Sequence, residues 1–137
     1  MNVNAIINHC LDLSFYRLQD FAGENYKKVY AHIQKTNGGE KANTVLIGTI
    51  FTCVASNGKF SDREWDFISS FVGGYTYDEA FSVAGEFYND EALDTVKELA
   101  NLFPYDVREA FVSMCIAVLA VDGRVDGAEV DFLRTIL

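Results

Sequence analysis

Ala55-Ser56-Asn57-Gly58-Lys59-Phe60-Ser61-Asp62-Arg63-Glu64-Trp65-Asp66-Phe67-Ile68 is echoed later in the chain by Ala120-Val121-Asp122-Gly123-Arg124-Val125-Asp126-Gly127-Ala128-Glu129-Val130-Asp131-Phe132-Leu133. Five aligned positions are identical (Ala, Gly, Glu, Asp and Phe), and Asn57/Asp122, Lys59/Arg124, Phe60/Val125 and Ile68/Leu133 keep their type. An apolar stretch with helical character precedes each copy. The repeated unit is therefore a helix, an Asn/Asp-Gly turn and a second helix, used twice.

Helix mechanics explains much of the motif. Ser61 and Asp126 stand at N-cap positions, with Glu64 and Glu129 three residues on at the spacing of a capping box. Phe60 with Trp65, and Val125 with Val130, fit the hydrophobic staple that fixes the chain's entry into a helix. Gly58 and Gly123 supply the left-handed residue that ends the helix before.

Val3, Ile6, Ile7, Cys10, Leu11, Phe15 and Leu18 follow the spacing of one helix face. A second helix is expected over Glu24–Lys35, ended by Asn37-Gly38-Gly39, and a third, apolar on most sides and hence central, over Glu40–Ser56. A fourth begins at Ser61 and runs toward Gly73-Gly74. Thr76-Tyr77-Asp78-Glu79 is a capping box for a fifth. Asn89 or Asp90 opens a sixth, Pro104 suits the first turn of a seventh, and Asp126 starts a short last helix. No stretch alternates as a strand does. The expected fold is all-α: a single domain over 1–137 of seven or eight helices with two pseudo-symmetric helix-turn-helix halves. Its parts are N-terminal helices (1–39), a first repeat (40–73), connecting helices (74–103) and a second repeat (104–137).

The chain has 137 residues, 50% apolar and 14% aromatic, enough to bury one core. Eleven Phe and seven Tyr exclude a solvated, disordered tail. Twenty acids against eleven bases give net −9, which argues against a nucleic-acid binder. The acids lie mostly beyond residue 41, and Asp78, Glu79, Glu86, Asp90, Glu91, Asp94 and Glu98 crowd one segment. That segment reads as a solvated surface or as a docking face for a basic protein partner. No apolar run reaches bilayer length, and no secretory signal opens the chain. Cys10, Cys53 and Cys115 are odd in number with no CxxC spacing, so they read as reduced, buried groups of a cytoplasmic protein.

Three carboxylates, Asp122, Asp126 and Glu129, share about one turn beside Gly123. Asp122 ends a helix, where the macrodipole disfavours negative charge. Such a set suits a hard divalent cation, calcium or magnesium rather than zinc. It matches the second half of an EF-hand loop, but Val118 and Ala120 stand where that loop has acids, so it is not an EF-hand. The capping box accounts for Glu64 and Glu129 without a ligand, and both readings stay open on the residues alone.

At these two motifs the chain resembles the tellurite-resistance TerB-like family, whose pattern is A-x-A-D-G-x-hydrophobic-x-x-x-E, once in each half of a helical domain. The carriers are Ala55 to Glu64 and Ala117 to Glu129, and the likeness extends over roughly Glu40 to the end of the chain. The resemblance implies an acidic, cytoplasmic, all-helical stress-response domain with a divalent-metal site. Carried over by position, that site comprises Asp122, Asp126 and Glu129, with Glu64, Asp62 and Asn57 from the first copy. Asn57 departs from the family's Asp and weakens a two-site arrangement.

No enzyme is expected. There is no phosphate loop, GxSxG or HExxH, and neither His9 nor His32 has a partner at i+3 or i+4. Two functions remain: a metal-binding TerB-like module, or a metal-free helical interaction domain using the acidic face. For the second, Phe15, Tyr16, Phe21, Tyr26 and Tyr30 are the first place to look for an exposed patch, although their helical spacing favours the core. The sequence does not specify an oligomeric state.

Overall fold

The computed structural model describes residues 1–55, 61–70, 74–86, 90–123 and positions 125, 127, 130, 131 and 133; at 55, 83–86, 90, 92, 93 and 96 it describes the backbone alone. Among the described residues seven α-helices build one domain, and no strand is present among them. Helix α1 spans Val3–Asp12 and is opened by Asn2, whose Oδ1 accepts from the Ala5 amide at 3.0 Å. Helix α2 spans Phe15–Asn37, opened by the Ser14 hydroxyl accepting from the Arg17 amide. The single apolar stripe expected from Val3 to Leu18 is thus cut at Leu13-Ser14, and the second helix starts nine residues before Glu24. Gly23 sits inside α2 without ending it.

The turn out of α2 is as expected. Gly38 adopts φ +92°, a conformation that strains any L residue, and its N–H returns to the Gln34 carbonyl. Helix α3 (Gly39–Ala55) follows at once, with Leu46, Ile50 and Phe51 fully buried. Its buried Thr49 and Thr52 donate to the carbonyls of Val45 and Gly48, each at 2.8 Å, so neither hydroxyl is left unsatisfied.

Helix α4 (Asp62–Ile68) is opened by a complete capping box on Ser61 and Glu64. It stops at Ile68, short of the glycines at 73 and 74, because its final carbonyls are taken by side chains. The Ser69 hydroxyl donates to Asp66 O, that of Ser70 to Phe67 O, and Gln19 of α2 donates its amide to Phe67 O at 3.0 Å. Helix α5 (Tyr77–Glu86) begins with the expected box, Glu79 accepting from the Thr76 amide and Thr76 from the Glu79 amide. Helix α6 (Asp90–Leu102) ends before Pro104, which caps rather than enters α7 (Tyr105–Leu119).

Helix α7 is the axis of the fold. From Ala110 to Leu119 every residue is buried, so it is apolar all round and must be wrapped on all sides. Helix α2 packs most extensively against it, with α1, α3, α4 and α6 completing the wrapping. Phe51, Phe67 and Phe111 are fully buried, and burying each such ring stabilises the fold by roughly 1.5–3 kcal/mol. A 3-10 turn (Ala120–Asp122) extends α7 until Gly123, at φ +83°, ends it as expected. Beyond it Gly127, Val130, Asp131 and Leu133 are helical, and Leu133 reaches the core; the expected start at Asp126 lies outside the described residues, as does the Gly58 cap. Of the N-terminal aromatics, Phe15, Phe21, Tyr26 and Tyr30 pack against the core, while Tyr16 is 75% exposed.

Candidate functional site

The two copies of the repeated motif meet. The capping box that starts α4 and the 3-10 turn that ends α7 lie in contact, which brings Ser61 and Glu64 of the first copy to Asp122 of the second. The Ser61 hydroxyl accepts from the Glu64 amide at 3.0 Å and points its own hydrogen toward Asp122 Oδ1 at a long 3.5 Å. Glu64 reaches back with Oε1 to the Ser61 amide at 3.1 Å. Glu64 is only 6% exposed, whereas Asp122 is exposed.

This setting changes the chemistry of Glu64. Burial disfavours its charged form first, and the nearby charge of Asp122 adds to that; the Ser61 amide and hydroxyl oppose both. The balance pushes its pKa up to about 7. Among the described residues no ion pair ties Glu64 or Asp122 to a basic side chain.

Arg63 locks the junction. Its Nε–H donates to the Val121 carbonyl at 2.9 Å, and its guanidinium lies 4.9 Å from the centre of the Phe15 ring. One side chain thereby ties the starts of α2 and α4 to the end of α7. The sequence singled out Glu64 and Asp122 but not Arg63, which aligns with Ala128 in the repeat and belongs to no local pattern. Ser61 was legible as a cap, not as a neighbour of Asp122.

Of the six proposed metal ligands, Glu64 and Asp122 come together. Asp62 is exposed in the first turn of α4, and Asn57, Asp126 and Glu129 lie outside the described residues. Among the described residues no group of three or more His, Cys, Asp or Glu side chains could hold a metal ion. The assembled donors are two carboxylates and a hydroxyl, all oxygen, a set that fits a hard cation better than zinc.

The other candidates behave as packing or surface. His9 meets Phe21 edge-on at 5.2 Å, and His32 meets Phe103 at 5.7 Å. Cys10, Cys53 and Cys115 are buried in the core without a disulfide between them, and burial pushes the Cys10 thiol up to about 12. In the acidic segment Asp78, Glu79, Glu91, Asp94 and Glu98 are exposed. No helix among the described residues is long and apolar enough to cross a membrane. Compared with protein-family models, curated proteins and solved structures, the chain finds no match.

Proposed function

We propose that this chain is a non-enzymatic TerB-like domain that holds a divalent cation, calcium or magnesium, where the two copies of its repeated motif meet, and that it serves a cytoplasmic stress response. The observation that supports this reading is the approach of Glu64 and Ser61 to Asp122, which follows Ser61 by 61 residues in the chain. Capping alone requires only Ser61 and Glu64; it does not require a second carboxylate beside them. A cation there would offset the repulsion between Asp122 and Glu64, and Asp126 and Glu129 are the residues that the resemblance adds to the set.

Calorimetric titration of EDTA-stripped protein with calcium, magnesium, manganese and zinc tests the proposal. Saturable binding is expected for calcium or magnesium, lost in Asp122→Asn and in Glu129→Gln. Glutamine still serves a capping box, so the second variant removes charge while sparing the helix start. Affinity should rise as pH passes upward through about 7, because the cation displaces the Glu64 proton. No heat with any cation would reject the metal site and favour the metal-free interaction module, whose acidic face carries the exposed acids of α5 and α6.

A further inference from the structure

The corner between α6 and α7 leaves two large apolar side chains in solvent. Leu102 is 79% exposed, more than any other large apolar residue among those described, and Tyr105, just across Pro104, is 63% exposed. One such side chain is ordinary on a soluble protein; two at one tight corner begin a patch. The patch shares no residue with the junction of Glu64 and Asp122.

Opposite charges flank the corner on its two sides. On α6, Leu102 lies on the side away from the buried Ala100, and Glu91 and Glu98 precede it by eleven and four positions on the same exposed face. Lys97, the one base of α6, is turned about 140° around the helix from Leu102. Helix α2 borders the other side. His32 meets Phe103 edge-on at 5.7 Å, and Lys28 lies 3.9 Å from Asp106. Lys28 and Lys35 stand on the exposed side of α2, across from the buried Val29 and Ile33. The two stripes match in spacing, because each holds two like charges seven residues and about 10 Å apart. Lys35, Glu91 and Glu98 make no ion pair among the described residues, and the contact of Lys28 with Asp106 is exposed and weak.

From this arrangement we infer that two copies of the chain pair about a two-fold axis at the Leu102–Tyr105 corner, each copy's α2 lysines facing the other's α6 glutamates. A two-fold contact requires a surface that complements itself, and an apolar centre between equal stripes of opposite charge does so. Rotation about the corner brings apolar side chains together and sets lysine against glutamate on both flanks at once. A basic foreign partner satisfies α6 but is repelled by Lys28 and Lys35, and an acidic one meets the reverse; a second copy answers both. The pairing is independent of any cation at the Asp-Gly turn. The contact is at the small end of specific interfaces, so its affinity falls in the micromolar range.

Sedimentation equilibrium of the full chain between about 10 and 500 µM tests this. The mass is expected to rise from one chain to two, and raising salt from about 0.05 to 0.5 M should weaken the pairing about ten-fold. Leu102→Asp should remain a single chain throughout while keeping its helical circular-dichroism spectrum. Lys35→Glu and Glu98→Lys should each pair about ten-fold more weakly alone, and an equimolar mixture of the two should recover most of the loss. A native chain that stays single over the whole range would overturn the assignment. So would pairing that survives Leu102→Asp, or a mixture of the charge-reversed variants that pairs no better than either alone.

Discussion

At the scale of single residues, Glu64 is under opposing demands. The capping box wants its carboxylate charged and turned to the Ser61 amide, while burial and Asp122 favour the neutral acid. With its folded pKa raised to about 7, the folded chain holds a proton that the unfolded chain has released between the ordinary carboxylate range and neutrality. Stability tied to this group is therefore full at pH 4 and lost as pH rises through about 7. Glu64→Gln keeps the capping hydrogen bonds and removes the buried charge. In the metal-free protein it should raise Tm by about 5 °C at pH 8 and leave it nearly unchanged at pH 5, as followed by thermal denaturation. An equal effect at both pH values would show that the buried charge is not what matters.

At the scale of elements, the helices show what a sequence can and cannot announce. Boundaries set by local chemistry were legible: the box at Thr76–Glu79, the box at Ser61–Glu64, and the glycines 38 and 123. Those set by tertiary contact were not. The apolar spacing runs on through Phe15 and Leu18, so the serine cap that separates α1 from α2 left no gap in the pattern. Helix α4 stops where Ser69, Ser70 and Gln19 share its final carbonyls, and no window of local sequence contains the bond from Gln19, in a distant part of the chain. The repeat likewise marked Glu64 and Asp122 as related without saying that they touch. Within α7 the two kinds of position should respond differently. Phe111 is fully buried and meets Phe103 edge-on at 5.4 Å, so Phe111→Ala should lose about 3–5 kcal/mol. Tyr105 is 63% exposed on the same helix, and Tyr105→Ala should stay within about 0.5 kcal/mol. Urea denaturation of both variants distinguishes a wrapped axis from a peripheral helix.

At the scale of the whole molecule, the N-terminal helices belong to the core. Leu18, Ala22, Val29 and Ile33 of α2 are buried, and no other helix covers α7 so extensively. Removal of residues 1–41 should abolish the cooperative melt; a truncated chain that still melts cooperatively at an unchanged temperature would make the segment an appended arm. The order in which the parts are synthesised then matters. Helix α2 is complete at Asn37, but α7, the helix it chiefly wraps, is complete only at Leu119. At ribosomal speeds of about 5–20 residues per second, α2 waits roughly 4–16 s with only α3 for a large neighbour. Throughout that interval the nascent chain offers a long amphipathic hairpin with one apolar face uncovered, the kind of surface that chaperones bind. Native packing is thus postponed until translation has passed the axis, and slowing the ribosome between the codons for residues 37 and 119 lengthens the exposure without altering the sequence.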